Sequence, residues 1–187
     1  HIVSRDPGPP PLAYVKVSGG IFLDMTIHDF DMARYLMGCD VTELYVEGGV
    51  MVDPEIGEAG DLDTAVMTLR FESGAIGTID NSRRAVYGYD QRAEVFGSGG
   101  AVRTENDFAN TAVLSDAHGV RADLPLNFFM DRYIESYVAE LTAFVDCALA
   151  GREPPATGED GRMAIVMGYA ARRSYEEHRP VRIAEIG

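Results

Sequence analysis

The 187-residue sequence contains no tryptophan, a single lysine (Lys16), two cysteines and four histidines. Positive charge is scarce, with 16 Lys and Arg against 30 Asp and Glu and a formal net charge of −14 at pH 7. Such a surface repels phosphate, which argues against nucleic acid or an anionic membrane as partner. Cys39 and Cys147 lie far apart in apolar company and match no metal or redox spacing, so they read as reduced thiols of a cytoplasmic protein. No apolar run approaches the roughly 20 residues of a bilayer crossing, and none resembles a secretory signal. Internal repeats and low-complexity segments are also missing.

Apolar residues make up 46% of the chain, enough for the core of one domain. It opens on HIVSR, which reads as a strand already under way, with no initiator methionine, and this suggests a piece of a longer protein. Asp6 to Pro11 (DPGPPP) forces an extended loop, because each proline removes a donor and biases its predecessor away from helix. Residues 41–52, 64–71, 75–81, 90–96, 101–104, 111–114 and 120–122 read as strands, joined around Glu72-Ser73-Gly74, Gly97–Gly100 and Ala117-His118-Gly119. Residues 53–61 read as an acidic loop. Connections this short join antiparallel neighbours, so the middle of the chain reads as a meander. Helical spacing over 127–150, a capping box at Thr157–Asp160 opening a helix that stops before Pro180, and a closing strand at 181–183 complete the pattern. The fold class is α+β: a large, mostly antiparallel sheet with helices on one face. Apolar residues on both sides of the strands, among them Val46, Val66, Ile76 and Ile79, leave the other face for homo-oligomerisation.

Ser18 to Gly38, SGGIFLDMTIHDFDMARYLMG, is the stretch richest in chemistry. Read as one helix at about 100° per residue, it places Asp24, His28 and Asp31 on one face and rotates Asp29 away. Leu23, Ile27, Phe30, Ala33 and Met37 form the face for burial. A carboxylate and an imidazole four residues apart can share a substrate hydroxyl, and an imidazole titrates near neutral pH, which suits His28 to general-base work. The same pattern is also met on a solvated helix face with structural ion pairs. As metal ligands these residues lack a third partner at a suitable spacing, so no metal is expected. Gly97–Gly100 lies between strands with no helix N-terminus behind it, and reads as a turn rather than a phosphate cradle. Tyr87 and Tyr89 flank Gly88 at a strand entrance, where tyrosines serve packing or hydroxyl binding.

The run around Asp24 and His28, together with GDLDTAVMTLRFESGAIGTIDNSRRAVYGYDQRAEVFGSGG and TGEDGRMAIVMGYAARRS, resembles the inositol 2-dehydrogenases of the glucose-fructose oxidoreductase, inositol dehydrogenase and MocA superfamily. The resemblance covers nearly the whole chain. It implies a C-terminal substrate-binding and oligomerisation domain over residues 1–187, the NAD-binding Rossmann domain and its EKP-type lysine belonging to a preceding segment. Lys16 stands in another context. By resemblance His28 and Asp24 are the catalytic pair, with His28 taking the alcohol proton and Asp24 orienting it. Asp31, Asp6, Tyr87, Tyr89 and Tyr137 bind the polyol, and Ser4 stands where some relatives have histidine. The chain itself supplies no cofactor-binding residues, and by itself is expected to be inactive. Two alternatives are a dehydrogenase for another polyol or sugar and a non-catalytic oligomerisation module.

Overall fold

A computed structural model describes residues 1–187. The chain runs β1 (Ile2–Arg5), α1 (Leu12–Ser18), α2 (Ile21–Asp24), α3 (Thr26–Met37), β2 (Val41–Gly49), α4 (Pro54–Glu58), β3 (Thr64–Phe71), β4 (Ile76–Ser82), β5 (Asp90–Gly97) and β6 (Gly100–Thr104). The hairpin β7 (Val113–Asp116) and β8 (Gly119–Ala122) follows, then α5 (Phe129–Leu149), α6 (Gly158–Glu177), β9 (Val181–Arg182) and a 3₁₀ turn at Ile183–Glu185. The fold is α+β, and no helix is long and apolar enough to cross a membrane.

Seven strands form one sheet in the order β6-β5-β1-β4-β3-β2-β9, and β7-β8 stand apart as a two-stranded ribbon. All pairings are antiparallel except β1 with β4. The central meander is therefore interrupted: β1 enters between β4 and β5, placing Ser4 beside Asn81 on one side and Gln91 on the other. That insertion is invisible to local pattern, because β1 and β4 are separated by more than 70 residues and pair only through tertiary packing.

Strict alternation drives the sheet onto its helices. Ala65, Met67, Leu69 and Phe71 of β3 are buried, as are Leu44 and Val46 of β2 and Ile79 of β4. Against them pack Ile21, Phe22, Phe30 and Ala33 from α2 and α3, and Val166, Met167, Ala170 and Ala171 from α6. Gly168 is required by the close approach of α6 to α2, since a Cβ there would stand 2.5 Å from Leu23 Cδ2. The Thr157–Asp160 capping box is present, and α6 ends at His178 in a left-handed conformation just before Pro180.

Three local expectations need correction, and one helix, α1, falls where the sequence pattern gives no expectation. The 18–38 segment is two helices, not one, with the break at Met25 (φ −110°, ψ −61°). Leu12–Ser18 after the proline loop is helical, and so is Pro54–Glu58 in the acidic loop, where the Asp53 side chain accepts the Glu55 N–H as a helix N-cap. Lastly, α5 forms but does not lie on the sheet: Ile134, Val138, Leu141 and Phe144 are exposed, and Cys147 is its one buried residue. On the face of the sheet away from the helices, Val66 and Ile76 are exposed beside Thr68, Arg70 and Thr78, so that face is open and only partly apolar.

Truncating the fully buried Met67 leaves a cavity at the centre of the sheet–helix interface, and Met67→Ala should cost about 2–5 kcal/mol of stability. Thr157→Ala removes the α6 cap for about 1 kcal/mol. Urea unfolding midpoints of the two variants should rank in that order, and equal losses would contradict the packing described.

Candidate active site

The break at Met25 has a local cause. Thr26 Oγ1 donates its one proton to Asn81 Oδ1 (2.6 Å) and lies 3.3 Å from the Ile21 carbonyl, which ties the backbone at the break to the sheet. Asp24 therefore ends α2 while His28 lies in the first turn of α3, on the two sides of the break. His28 is exposed and its side chain makes no hydrogen bond to Asp24.

Asp24 is occupied elsewhere. Tyr14 of α1 donates its hydroxyl to Asp24 Oδ1 (2.7 Å), and Arg83, just beyond β4, brings Nη2 to 2.7 Å from Asp24 Oδ2. That approach is an ion pair without the alignment of a hydrogen bond. Arg83 Nη1 lies 3.5 Å from Asp6 Oδ2, so one guanidinium joins two carboxylates that are 18 positions apart in sequence. Burial raises the Asp6 carboxyl above its ordinary range, and Arg83 opposes the rise. The site lies where β1 and β4 end, bounded by Asp6, Tyr14, Asp24, His28 and Arg83.

Behind it lies a buried polar layer around Asp29, the carboxylate that the helical wheel rotates away from Asp24, His28 and Asp31. Asp29 is buried against the sheet: Asn81 Nδ2 donates to its Oδ2 (2.7 Å) and Gln91 Nε2 to its Oδ1 (3.2 Å). Ser4 hydrogen-bonds Gln91, which completes the layer. Burial pushes the Asp29 carboxyl up to about 6, against the hydrogen bonds from Asn81 and Gln91 that favour its anion.

Tyr87 and Tyr89, in the turn that leads into β5, point apart. Tyr89, half-buried, packs edge-to-face on Tyr133 of α5 (centroids 6.0 Å), and burial raises its hydroxyl pKa, with Tyr133, Asp6 and Asp29 adding to the rise. Tyr87 points the other way. Its hydroxyl donates to Asp90 Oδ2 (2.5 Å) and accepts from Arg5 Nη1 (3.2 Å) within a network that includes Asp80, Arg92 and Asn106 on the opposite face. Tyr87 is thus held by Asp90 and Arg5 rather than brought to Asp24 and His28; it and Tyr89 lie in the turn before β5, where Gly88 between them has a φ of 125° and the alternation of a strand does not apply. Asp31 is exposed further along α3, lining a surface hollow with Arg34, Asp40 and Asp160. Tyr137 is exposed on α5, one turn beyond Tyr133. Arg83, Tyr14, Asn81 and Tyr133 were not legible as site residues; Arg83 and Asn81 lie within the NSRRAVYGYD motif, but nothing local marks which of its side chains turn inward.

Residues 1–103 match the model of the GFO/IDH/MocA C-terminal domain, and the chain belongs to that family. It is 59% identical over its whole length to the myo-inositol 2-dehydrogenase of Thermotoga maritima, of which it covers 56%. With the inositol 2-dehydrogenase of Rhizobium meliloti it shares 45% identity over 98% of the chain and 56% of that protein. The crystal structure of a probable dehydrogenase from Thermotoga maritima superposes with a TM-score of 0.97 at 59% identity, covering 100% of this chain and 56% of that one. A scyllo-inositol dehydrogenase from Lactobacillus casei, solved with bound NAD(H) and scyllo-inositol, superposes with a TM-score of 0.85 at 26% identity, covering 98% and 56%. The chain thus spans little more than half the length of these relatives.

Asp29 supplies a pH signature of the folded state. Its folded pKa of about 6 lies above the ordinary value of 3.8, so the folded chain holds this proton more tightly than the unfolded one. Stability should therefore be highest below about pH 4, fall by roughly 3 kcal/mol as pH rises toward about 6, and level off above it. Asp90, held low at about 2 because hydrogen bonds from Arg92, Tyr87 and Asn106 outweigh its burial, acts in a separate window and loses its contribution only as pH falls toward 2. Asp29→Asn should flatten the urea-midpoint profile between pH 4 and 6, and a variant with the wild-type slope would remove Asp29 as its source.

Proposed function

We propose that this chain is the substrate-binding half of an NAD-dependent inositol 2-dehydrogenase, oxidising myo-inositol to 2-keto-inositol. The observation that carries the reading is the cluster at the ends of β1 and β4: two carboxylates, Asp6 and Asp24, anchored on a buried Arg83 beside the exposed imidazole of His28. A neutral polyol presents hydroxyls on every side, and acceptors of this kind with a titratable base suit it better than a cationic pocket would. The names of the most similar relatives support the same substrate class.

The alcohol would lose its O–H proton to His28 and a hydride from the adjacent carbon, and so become a ketone. NAD, when bound, supplies the hydride acceptor. No strand, glycine-rich turn and helix among these elements fits a dinucleotide; Gly97 and Gly100 face each other across the β5–β6 turn. We assign NAD to a preceding Rossmann domain, in keeping with relatives nearly twice as long. Asp24, fixed by Tyr14 and Arg83, retains lone pairs for a substrate hydroxyl, and Asp6 offers a second acceptor on the same side. Tyr89 and Tyr133 wall the cluster on the β5 side.

The open sheet face, with Ile76 77% exposed and no helix over it, supports homo-oligomerisation through the sheet. Two unpaired cysteines favour a cytoplasmic setting.

In the enzyme joined to its cofactor domain, His28→Ala should lower kcat on myo-inositol by about 100-fold or more while the KM for NAD stays within about twofold. Unchanged turnover would remove His28 from the proton path. Rates across myo-inositol, scyllo-inositol and glucose would expose a different polyol or sugar specificity, and assembly without any polyol oxidation would favour the oligomerisation module.

A further inference from the structure

Arg83 is held by its own backbone before its side chain does anything. Its N–H donates to the carbonyl of Asp63 (2.7 Å), and the Asp63 carboxylate in turn accepts the N–H groups of Met51, Val52 and Asp53. From that fixed origin the guanidinium enters the site with only 3% of its side chain exposed. Its Nε and Nη2 have no aligned acceptor, while Nη1 reaches Asp6 and Nη2 lies against Asp24.

This arrangement is a poor device for stability. Burying a guanidinium with incompletely satisfied donors is costly, and apolar side chains of similar volume commonly replace buried ion pairs at no loss. What the guanidinium provides and an apolar group cannot is a common counter-charge for two carboxylates that otherwise repel. Asp6 is already raised by burial and by Asp24, and Arg83 is the cation that offsets both. The other titratable groups facing this pair are Tyr14 from α1, His28 and Asp29 from α3, and Tyr89 from the turn before β5, none of which is a permanent cation.

We infer that Arg83 is a positioning residue of the dehydrogenase reaction: the shared guanidinium holds the Asp6 and Asp24 carboxylates side by side, as acceptors for two hydroxyls of the polyol. It acts through the two carboxylates, since its unpartnered nitrogens are themselves sealed from solvent. The inference rests on the polyol reading of the site.

The test uses the enzyme with its cofactor domain, as wild type, Arg83→Gln and Arg83→Lys. The Asp6 carboxyl is followed by carbon-13 NMR, and kcat/KM for myo-inositol is measured against pH. In Arg83→Gln, Asp6 should titrate about one unit higher or more. The acid limb of the rate profile should move up with it, kcat/KM should fall on the order of 100-fold, and the KM for NAD should stay unchanged. Arg83→Lys, a point charge that cannot fork between both carboxylates, should fall between wild type and Arg83→Gln. Adding Asp6→Asn to Arg83→Gln should bring the acid limb back toward wild type by removing the repulsion. An Asp6 titration and acid limb that do not move in folded Arg83→Gln would overturn the inference. Should that variant not fold, an unmoved profile in Arg83→Lys would do the same. A wild-type enzyme without polyol oxidation would overturn the functional reading instead, and the Asp6 titration would still decide whether Arg83 holds the pair.

Discussion

The carboxamide of Asn81 is the constraint on which the site depends. It is fully buried in β4, accepts the Thr26 hydroxyl on one side and donates to Asp29 on the other. The first bond holds the break between α2 and α3, and the second pins the first turn of α3 to the sheet. An amide can do both at once because it carries acceptor and donor on a single rigid plane. Without it the break between Asp24 and His28 loses its tie to the sheet, and the first turn of α3 loses its anchor.

That constraint also separates what the residues announce locally from what only the assembled chain decides. The strands, the two long C-terminal helices, the capping box at Thr157 and the α+β class follow from alternation and punctuation, which act over a few residues. The chemical content of 18–38 was equally plain from its composition. Its geometry was not, because a wheel assumes an unbroken axis and Thr26 ends that assumption through a partner 55 positions away. The wheel does turn Asp29 away from Asp24, His28 and Asp31, but it carries no sign that this carboxylate is the buried one of the segment. Arg83 shows the complementary case, since an arginine beside another arginine carries no local sign that one is buried and the other exposed.

Insertion of β1 between β4 and β5 does more than extend the sheet. Its pairing brings Ser4, Asn81 and Gln91 into one row under α3, and delivers Asp6 to the point where Arg83 leaves β4. A parallel neighbour is needed for this: β1 and β4 must end on the same side for Asp6 and Arg83 to emerge together. The Asp6 N–H bond to the Ser82 carbonyl (3.0 Å) and the Ala85 N–H bond to the Asp6 carbonyl (2.6 Å) extend the pairing into the loops. The proline-rich run then carries the chain away to α1, whose Tyr14 returns to the far oxygen of Asp24.

Alternation along β1, β4 and β5 divides two kinds of charge. Toward α3 lie Ser4, Asn81 and Gln91, polar but uncharged, around one carboxylate whose burial leaves it half-titrated near pH 6. Away from it lie Arg5, Asp80, Asp90 and Arg92, whose charges cancel in closed pairs. A slip of one residue in any of these three strands would exchange the two sets, placing ion pairs under the helices and neutral amides in solvent. The register is therefore held from both faces. The permanent cation that reaches the carboxylates of the site comes from Arg83, beyond the end of β4, where the alternation no longer applies and a side chain can turn inward at the mouth of the site.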